Sequence, residues 1–232
     1  MTAAPPPVPF QDEVIRSKYE GPYVNLSADY TKATVKAVEF DGHNSRAERV
    51  SGESGWRVNT SPRGFGETAT VGYMKKFNDV LVGVEAGLNF FNNVTDKKNG
   101  MYTDGAYVGE YPMRSEFLSG ETINGRLGYE FGNNLVFLTA GVQGLKIKSG
   151  LTYAQPPGSS NILVDSQKDR IYGPAVGVGF EHAWDNFRIR SAYRYTAYKT
   201  FNLDGTLYTR RGAFEKTKVQ EQTISTGLSY KF

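Results

Sequence analysis

The sequence predicts an all-β protein: an eight-stranded antiparallel up-and-down transmembrane β-barrel with short periplasmic turns and four long extracellular loops. Three observations predict this fold. Stretches of about ten residues alternate between apolar and polar side chains, the period of a strand with one apolar face. The connections between them alternate between long and short. The 232 residues include 26 Gly, 15 Tyr and 14 Phe but no apolar run near 18 residues, which excludes membrane-spanning helices.

The closing stretch, Thr223–Phe232, has the clearest alternation. One of its faces is almost entirely apolar and ends on an aromatic residue; it carries Ile224, Thr226, Leu228, Tyr230 and Phe232. An aromatic residue at the edge of the membrane is what a transmembrane barrel strand needs. The alternative is an ordinary, half-buried terminal strand of a water-soluble domain.

The first three barrel strands are predicted from the same alternation. They cover Tyr23–Lys32, Gly66–Lys75 and Val80–Phe90. Residues 36–62 lose the pattern and gather Gly, Ser, Asn and mixed charge, so we expect a long loop there. Residues 76–79 (KFND) join the second strand to the third as a tight turn.

The next hairpin follows a second long loop, at residues 92–116. Thr122–Tyr129 alternates, and a tight turn at Gly132–Asn134 leads into Leu135–Ile147. This last strand is the least regular because LVFLTAGV is apolar on both faces. Its assignment as a strand therefore depends on the turn before it.

The parity of Leu135–Ile147 follows from that short turn. Residues that lie opposite each other in a tight hairpin point to the same face of the sheet. The short turn therefore predicts that Thr139 and Gln143 point to the same face as Arg126. Lys146 and Lys148 fall on the opposite, lipid-facing side. Two charges there predict either a β-bulge or the end of the membrane zone.

The last hairpin lies between the third and fourth long loops, at residues 149–170 and 199–217. Ala175–Ala183 and Phe187–Tyr198 alternate, and Asp185–Asn186 is the turn between them. Ten residues at a rise of about 3.3 Å and a tilt of about 45° span about 23 Å, close to the apolar thickness of an outer membrane. With eight strands, both chain termini lie on the periplasmic side.

Six charged residues are predicted to share the polar face that lines the lumen: Glu85, Arg126, Glu181, Arg188, Arg190 and Arg194. Glycines share this face and would make room for long side chains in a narrow interior. Buried charges need partners, and the last hairpin places Glu181 across from Arg188 or Arg190. In a water-soluble eight-stranded ligand carrier the apolar side chains would point inward instead. That alternative leaves the glycines unexplained, so we favour the membrane barrel, which has too narrow a lumen for an open pore.

Four segments resemble strands of the alphaproteobacterial small outer-membrane β-barrel family, which includes haemin-binding members and major surface antigens. They are VGVEAGL (82–88), GRLGYEFGNNLVFLTAGV (125–142), VGVGFEHAW (176–184) and YRYTAY (193–198). The resemblance implies a bacterial outer-membrane location and a structural or surface-display role, such as membrane integrity, adhesion or envelope tethering. It also implies that the barrel-assembly machinery reads the last strand through Tyr230 and Phe232.

The N-terminal segment, residues 1–21, is Pro-rich and then charged, and we expect a flexible periplasmic lead to a barrel at 22–232. Some relatives attach their mature N-terminus to peptidoglycan, and this segment is suited to that partner. No apolar core follows Met1, so we expect an exported chain without its export signal. A cytosolic protein with a Pro-rich tail is the alternative.

Other functions have weaker support in the sequence. The resemblance allows haem as a cofactor, with His43 and Tyr107 as candidate contacts in the outward loops; otherwise no cofactor or metal site is expected. Arg210, Arg211 and Lys216 are candidate contacts for lipopolysaccharide phosphates, or else part of a solvated basic loop.

Catalysis and nucleic-acid binding are not expected. The chain has only two His, and His182 is placed on the lipid face beside a periplasmic turn. A small-solute pore or a lipid-modifying enzyme remain further alternatives. A net charge of +3, without a basic tract, does not indicate nucleic acid as a partner.

Overall fold

The computed structural model describes residues 17–40, 57–104, 107–154, 162–203 and 214–232. Within these ranges no helix is long and apolar enough to cross a membrane. The strands are β1 (Gly21–Phe40), β2 (Arg57–Thr60), β3 (Arg63–Phe77), β4 (Val80–Asp104), β5 (Tyr107–Phe131), β6 (Asn134–Ala154), β7 (Ile162–Trp184), β8 (Phe187–Ala197), β9 (Phe201–Leu203) and β10 (Phe214–Lys231).

Eight of these strands form a closed antiparallel barrel. Their order is β1-β3-β4-β5-β6-β7-β8-β10, and β10 pairs with β1 from Tyr23–Lys231 to Phe40–Phe214, which closes the cylinder. The two short strands, β2 and β9, extend the sheet next to β1 and β10. The predicted eight-stranded up-and-down barrel is therefore confirmed.

The three short turns lie where the sequence predicts them. Residues 78–79, 132–133 and 185–186 each connect two adjacent barrel strands. The first residue of each turn has a left-handed backbone, with φ of 56° at Asn78, 61° at Gly132 and 50° at Asp185. Asn, Gly and Asp are the residues that tolerate this conformation, so the turn sequences account for the positions of the hairpins.

The strands are longer than the sequence predicts, and the long loops are correspondingly shorter. Predicted loop 92–116 is mostly hairpin, because β4 and β5 remain paired from Thr95–Glu116 to Asp104–Tyr107. Predicted loop 149–170 likewise contains the ends of β6 and β7, paired from Ser149–Gln167 to Ala154–Ile162. The alternation of a lipid-facing strand stops at these positions, but the backbone pairing continues.

The part of the barrel next to the short turns carries an apolar outer surface, here called the apolar band. Val82, Val84 and Leu228 point outward, with exposed fractions of 47%, 63% and 48%. The rim of the band beside the turns is aromatic: Trp184 stacks on Phe187, which contacts Tyr230 edge to face. The apolar side chains thus face away from the axis, as a membrane barrel requires and a water-soluble ligand carrier does not.

The opposite end of the barrel, here called the outer extension, has the reverse arrangement. Its interior is a packed apolar cluster of Ala33, Val35, Val94, Phe117, Leu145, Ile147, Ile171, Tyr198 and Val219. Its outer surface carries charged side chains. Apolar residues inside and charges outside are the pattern of a water-soluble β-barrel, which the sequence reading did not predict.

The change between the two regions is visible on β6. Lys146 points outward and Ile147 inward, so the parity of the strand is unbroken. A bulge does occur, but on β5: Phe117 pairs with Ile147 and Ser119 pairs with Lys146, which leaves Leu118 without a partner in β6. Lys146 and Lys148 therefore mark the end of the apolar band, the second of the two predicted explanations.

Candidate functional site: the charged lumen

Five of the six predicted lumen charges meet in one buried cluster. They come from the inward faces of β4, β5, β7 and β8, where the period of two directs them to the axis. Each is at most 9% exposed, and the cluster consists of Glu85, Arg126, Glu181, Arg188 and Arg190. Two carboxylates and three guanidinium groups thus share the turn-side half of the lumen.

Glu85 forms the best-aligned ion pair of the cluster. Arg190 approaches it with two parallel hydrogen bonds, Nη1 to Oε2 at 3.0 Å and Nη2 to Oε1 at 3.1 Å. The hydroxyl of Tyr23 donates to Oε2 at 2.9 Å. Because a bidentate guanidinium–carboxylate pair fixes both groups in orientation, Arg190 connects β8 to β4 across the lumen.

Three guanidinium groups lie within 4 Å of Glu181, but the closest of them does not belong to its own hairpin. Arg190 lies directly opposite Glu181 in the register of β7 and β8. Their nearest atoms are nevertheless 3.9 Å apart, and Arg188 is 3.8 Å away. Arg126, from β5, is at 2.9 Å. The predicted hairpin partners are therefore secondary, because Arg190 reaches across the lumen to Glu85 instead.

Aromatic rings separate and orient the guanidinium groups. Arg126 lies over the ring of Phe137, 3.7 Å from its centroid. Arg188 lies 5.0 Å from the centroid of Tyr19 and 5.4 Å from that of Tyr23. Cations over aromatic faces are stabilised further where water is excluded. Arg188, fully buried and weakly paired with Glu181, depends on these rings.

The inward glycines make room for these rings rather than directly for the charged side chains. A Cβ atom at Gly72 would collide with the ring of Tyr23, and one at Gly179 would collide with the ring of Phe137. The sequence predicts that glycines make room for the long charged side chains, whereas at Gly72 and Gly179 the space is occupied by aromatic rings. The rings that they admit are those that stack on Arg126 and Arg188.

Arg194, the sixth predicted charge, lies in a different layer, nearer the outer extension. Its guanidinium is 4.0 Å from Glu221. Glu221 also accepts hydrogen bonds from Gln143 at 3.1 Å and from Tyr198 at 2.7 Å. Gln143 does face the lumen, as its parity with Arg126 predicts.

Both ends of the lumen are closed by side chains. At the turn-side mouth Tyr19, just before β1, is fully buried, and its hydroxyl donates to the carbonyl of Asn133 at 2.7 Å. Burial raises the pKa of the Tyr19 hydroxyl above its ordinary value, so it stays protonated as a donor. At the other end the apolar cluster of the outer extension fills the interior.

Little free space remains between these two closures. A cavity of about 30 Å³ lies beside Asp29, Glu85, Arg190 and Arg194, which is room for about one water molecule. The charged side chains around it are already engaged in hydrogen bonds or ion pairs; for example, Thr68 donates to Asp29. Among the described residues this arrangement fills the barrel and shows no open path along the axis.

Of the remaining predicted site residues, the structure describes some and leaves others outside its described ranges. His43, Arg210 and Arg211 lie outside the described residues, and the side chains of Tyr107 and Lys216 are also outside them. Tyr230 and Phe232 contact each other edge to face at 5.3 Å on the aromatic rim. His182 points outward beside the turn, as predicted, and its Nδ1 lies 2.8 Å from the side-chain oxygen of Asn134.

Four lumen residues were missed by the sequence reading: Tyr19, Tyr23, Phe137 and Glu221. Glu221 has the parity of the polar face of β10 and would have been found had that strand been extended by two residues. Phe137 lies in the segment that is apolar on both faces, and its parity with Thr139 marks it as inward. Tyr19 precedes any strand, so no periodicity could reveal it.

Comparison with known proteins agrees with this architecture. The family model described as "Outer membrane protein beta-barrel domain" matches residues 7–232. The 25 kDa outer-membrane immunogenic protein of Brucella abortus is 31% identical over 171 residues, which cover 72% of this chain and 71% of the relative. The 31 kDa outer-membrane immunogenic protein of Brucella melitensis is 25% identical over 233 residues, covering 98% and 89% of the two chains.

A solved structure shares the fold at low sequence identity. The outer membrane protein OprG from Pseudomonas aeruginosa aligns with a TM-score of 0.52 and 15% identity, over 92% of this chain and 97% of that one. At this identity the likeness concerns the barrel alone.

Proposed function

The chain belongs to the outer-membrane β-barrel family, and from this premise we propose that it is a non-enzymatic structural barrel that fills the membrane and displays its outer extension at the cell surface. Its location in the outer membrane follows from the family. The similar Brucella proteins are named as immunogenic outer-membrane proteins, which supports exposure of the outer face.

The sealed lumen is the observation that carries this proposal. A diffusion pore needs a continuous water-filled path, whereas here Tyr19 closes one mouth and an apolar cluster fills the other end. Among the ion pairs between them, the described residues enclose a cavity of about 30 Å³. Among the described residues, Glu85 and Glu181 have close guanidinium partners, and Glu221 accepts hydrogen bonds from Gln143 and Tyr198, so none of the three is a free general acid or base.

Conductance in planar lipid bilayers tests the proposal directly. We expect the purified, refolded protein to insert without producing steady ion currents, while a general porin in the same bilayer conducts. Liposomes that contain the protein should likewise retain small sugars. A stable, single-size conductance that persists in the native protein would contradict the sealed, structural role and favour the pore.

The outer surface supports an orientation with the short turns and both chain termini in the periplasm. Beyond the apolar band the barrel carries an outward basic belt, formed by Lys32, Lys36, Arg63, Lys97, Arg114, Lys146, Lys148, Lys168, Arg170, Lys199 and Lys218. Cations at this height suit the phosphates of lipopolysaccharide in the outer leaflet. The aromatic rim at the other end then lies at the periplasmic interface, where Tyr230 and Phe232 are accessible to the assembly machinery.

The N-terminal segment is proposed as a tether to peptidoglycan. Residues 17–20 are fixed at the periplasmic mouth: Lys231 Nζ donates to the carbonyl of Ser17 at 2.8 Å, and Lys18 Nζ donates to the side chain of Asn133 at 2.9 Å. In the proposed orientation Ser17 therefore lies on the side of the barrel that faces the cell wall. Mass spectrometry of peptidoglycan fragments from cells that express the protein tests this: a covalently attached N-terminal peptide is expected, and recovery of that peptide only in free form would contradict it.

A further inference from the structure

Two like-charge pairs stand side by side on the outer face of β6 and β7. Lys146 lies directly opposite Arg170, and two residues further Lys148 lies directly opposite Lys168. All four side chains point away from the axis. Like charges directly opposite each other in neighbouring strands destabilise a sheet, so two consecutive pairs call for an anion that offsets them. These four residues are here called the basic ladder.

Nearby carboxylates neutralise only part of this charge. Glu121 reaches Arg170 at 3.3 Å, and Glu116, which is opposite Lys148 on β5, reaches Arg114 at 3.5 Å. Among the described outward side chains of β5, β6 and β7 at this height, five cations (the ladder and Arg114) therefore face two carboxylates. An excess of three positive charges remains on one side of the barrel.

The ladder begins where the apolar band ends. On β6 the outward residues progress from Leu138 and Val142 through Gly144 to Lys146. Lys146 follows Val142 by four residues, which is about 13 Å along the strand and about 9 Å along the barrel axis at a tilt of about 45°. A molecule with an apolar chain and an anionic group would therefore meet apolar side chains and the ladder at the same time.

Gly144 leaves the surface between these levels open. A Cβ atom there would lie 2.5 Å from Oε1 of Glu121 and 2.7 Å from a ring carbon of Tyr172. Its absence lets Glu121 reach over β6 towards Arg170, on the far side. The lower pair of the ladder is therefore held in place by a contact that spans three strands, rather than by two independent flexible side chains.

We propose that the basic ladder binds the phosphate group of a phosphorylated outer-leaflet lipid, whose acyl chains lie against the apolar band below it. The proposal rests on the outer-membrane location and surface orientation proposed above, and it assigns that contact to Lys146, Lys148, Lys168 and Arg170. Continuity with the apolar band favours a lipid over a dissolved anion. Phosphate accepts several charge-assisted hydrogen bonds at once, which relieves both like-charge pairs.

The test reverses one side of the ladder. In Lys146→Glu/Lys148→Glu each like-charge pair becomes an ion pair within the protein. We expect the lipid-free barrel in detergent to melt at a higher temperature, while its affinity for bisphosphorylated lipid A, measured by native mass spectrometry, falls about tenfold or more. Affinity for the same lipid without phosphates should not change. A merely structural role of the lysines would not separate these two results.

The matched control is Lys32→Glu/Lys36→Glu, which makes the same change in net charge on β1. Lys32 lies opposite Arg63 on β3 and Lys36 opposite Lys218 on β10, so the control also turns two like-charge pairs into ion pairs. These pairs lie on the two sides of β1 and do not form a ladder of four adjacent cations. This control should retain lipid A within about twofold of the native protein. Equal losses in the two variants would overturn the proposal in favour of diffuse attraction by the whole belt. Complete displacement of lipid A by millimolar inorganic phosphate would overturn it in favour of a free-anion site.

A neutral variant keeps the test usable if the charge-reversed protein does not refold. Lys148→Gln/Lys168→Gln removes the upper pair and leaves the contact between Glu121 and Arg170 intact. It should lose lipid A affinity several-fold, and unchanged affinity would contradict the ladder. The bilayer conductance of these variants stays at the native level in either case, so a failure here is distinct from a failure of the sealed-barrel role.

Discussion

The apolar band and the outer extension are built from the same strands but are inverted relative to each other. In the band, Val84 and Leu228 point outward while Glu85 and Arg126 are buried inside. In the outer extension, Phe117 and Ile147 are buried inside while Lys146 and Arg170 point outward. Each region places apolar side chains where water is absent: against lipid in the band, and against one another in the extension.

The strands pair in the same way whether the outer or the inner face of the sheet is apolar. Hydrogen bonds of the β-ladder continue through the change between the regions. They are interrupted at this level by register shifts at Arg63/Phe65, Phe90/Thr95 and Phe117/Ser119. What changes is the source of stability. Ion pairs and stacked rings fill the band, whereas apolar burial fills the extension. Mutations of the same kind should therefore change the free energy of unfolding by different amounts in the two regions.

The largest effect is expected for Glu181→Gln in the band. This change keeps the shape of the side chain but removes the charge nearest Arg126 and shared with Arg188 and Arg190. Loss of one partner from a buried ion pair costs about 4 kcal/mol of unfolding free energy. Urea titration in lipid vesicles, followed by intrinsic fluorescence, measures it. Glu116→Gln is the control: its partner Arg114 is 61% exposed and the loss should be below about 1 kcal/mol. Similar losses in both variants would contradict the low-dielectric lumen.

A cavity in the extension should have the next largest effect. Ile147→Ala removes methyl groups from the interior of the apolar cluster and should cost about 3 kcal/mol. Ile123→Ala, on the lipid face of the band, should cost clearly less because lipid fills the space. The same urea titration compares them. A larger loss for Ile123→Ala would show that the extension lacks a packed core in solution.

A charge introduced on the outer surface should lower the free energy of unfolding more in the band than in the extension, and this difference should be smaller than those above. Val84→Arg places a cation against the middle of the membrane and should cost about 2–3 kcal/mol. Gln220→Arg places the same side chain on the outer face of β10 in the extension, where a change within about 0.5 kcal/mol is expected. Equal losses of unfolding free energy in the two variants would mean that Val84 does not face lipid or that Gln220 does.

The smallest effect concerns the cap at the periplasmic mouth. Tyr19→Phe keeps the ring over Arg188 but removes the hydrogen bond to the carbonyl of Asn133, a loss of about 1 kcal/mol. Tyr19→Ala should in addition speed hydrogen exchange of the amides around Asn133, measured by mass spectrometry. Unchanged exchange in Tyr19→Ala would show that the segment is not a closure.

The sequence was sufficient for the band and insufficient for the extension, for a physical reason. Eight strands, three short turns and the inward facing of Glu85, Arg126 and Gln143 follow from a period of two and the turn residues. In the extension the same period persists with its sign inverted and with mixed residues outside, as at Lys146–Ser149. It therefore resembled a polar loop.

Lumen contacts were only partly predictable. The period of the strand gives the side of the sheet to which a side chain points, but not the residue that it contacts. Arg188 or Arg190 was expected to pair with Glu181 on the same hairpin. In the structure Arg190 binds Glu85 on the far wall, and Arg188 lies 3.8 Å from Glu181. Which charge meets which depends on side-chain length and on rings such as Phe137. Tyr19 could not be anticipated, because its burial depends on the barrel that it closes.

The inversion is most directly tested by introducing single spin-labelled cysteines, since the chain contains no native Cys. Labels at Val84 and Leu228 in the band and at Lys146 and Lys168 in the extension are compared in lipid vesicles for collisions with membrane-soluble oxygen and with a water-soluble nickel complex. We expect oxygen to dominate at Val84 and Leu228, and nickel to dominate at Lys146 and Lys168. Nickel access at Val84 and Leu228 equal to that at Lys146 and Lys168 would contradict the apolar band and the account built on it.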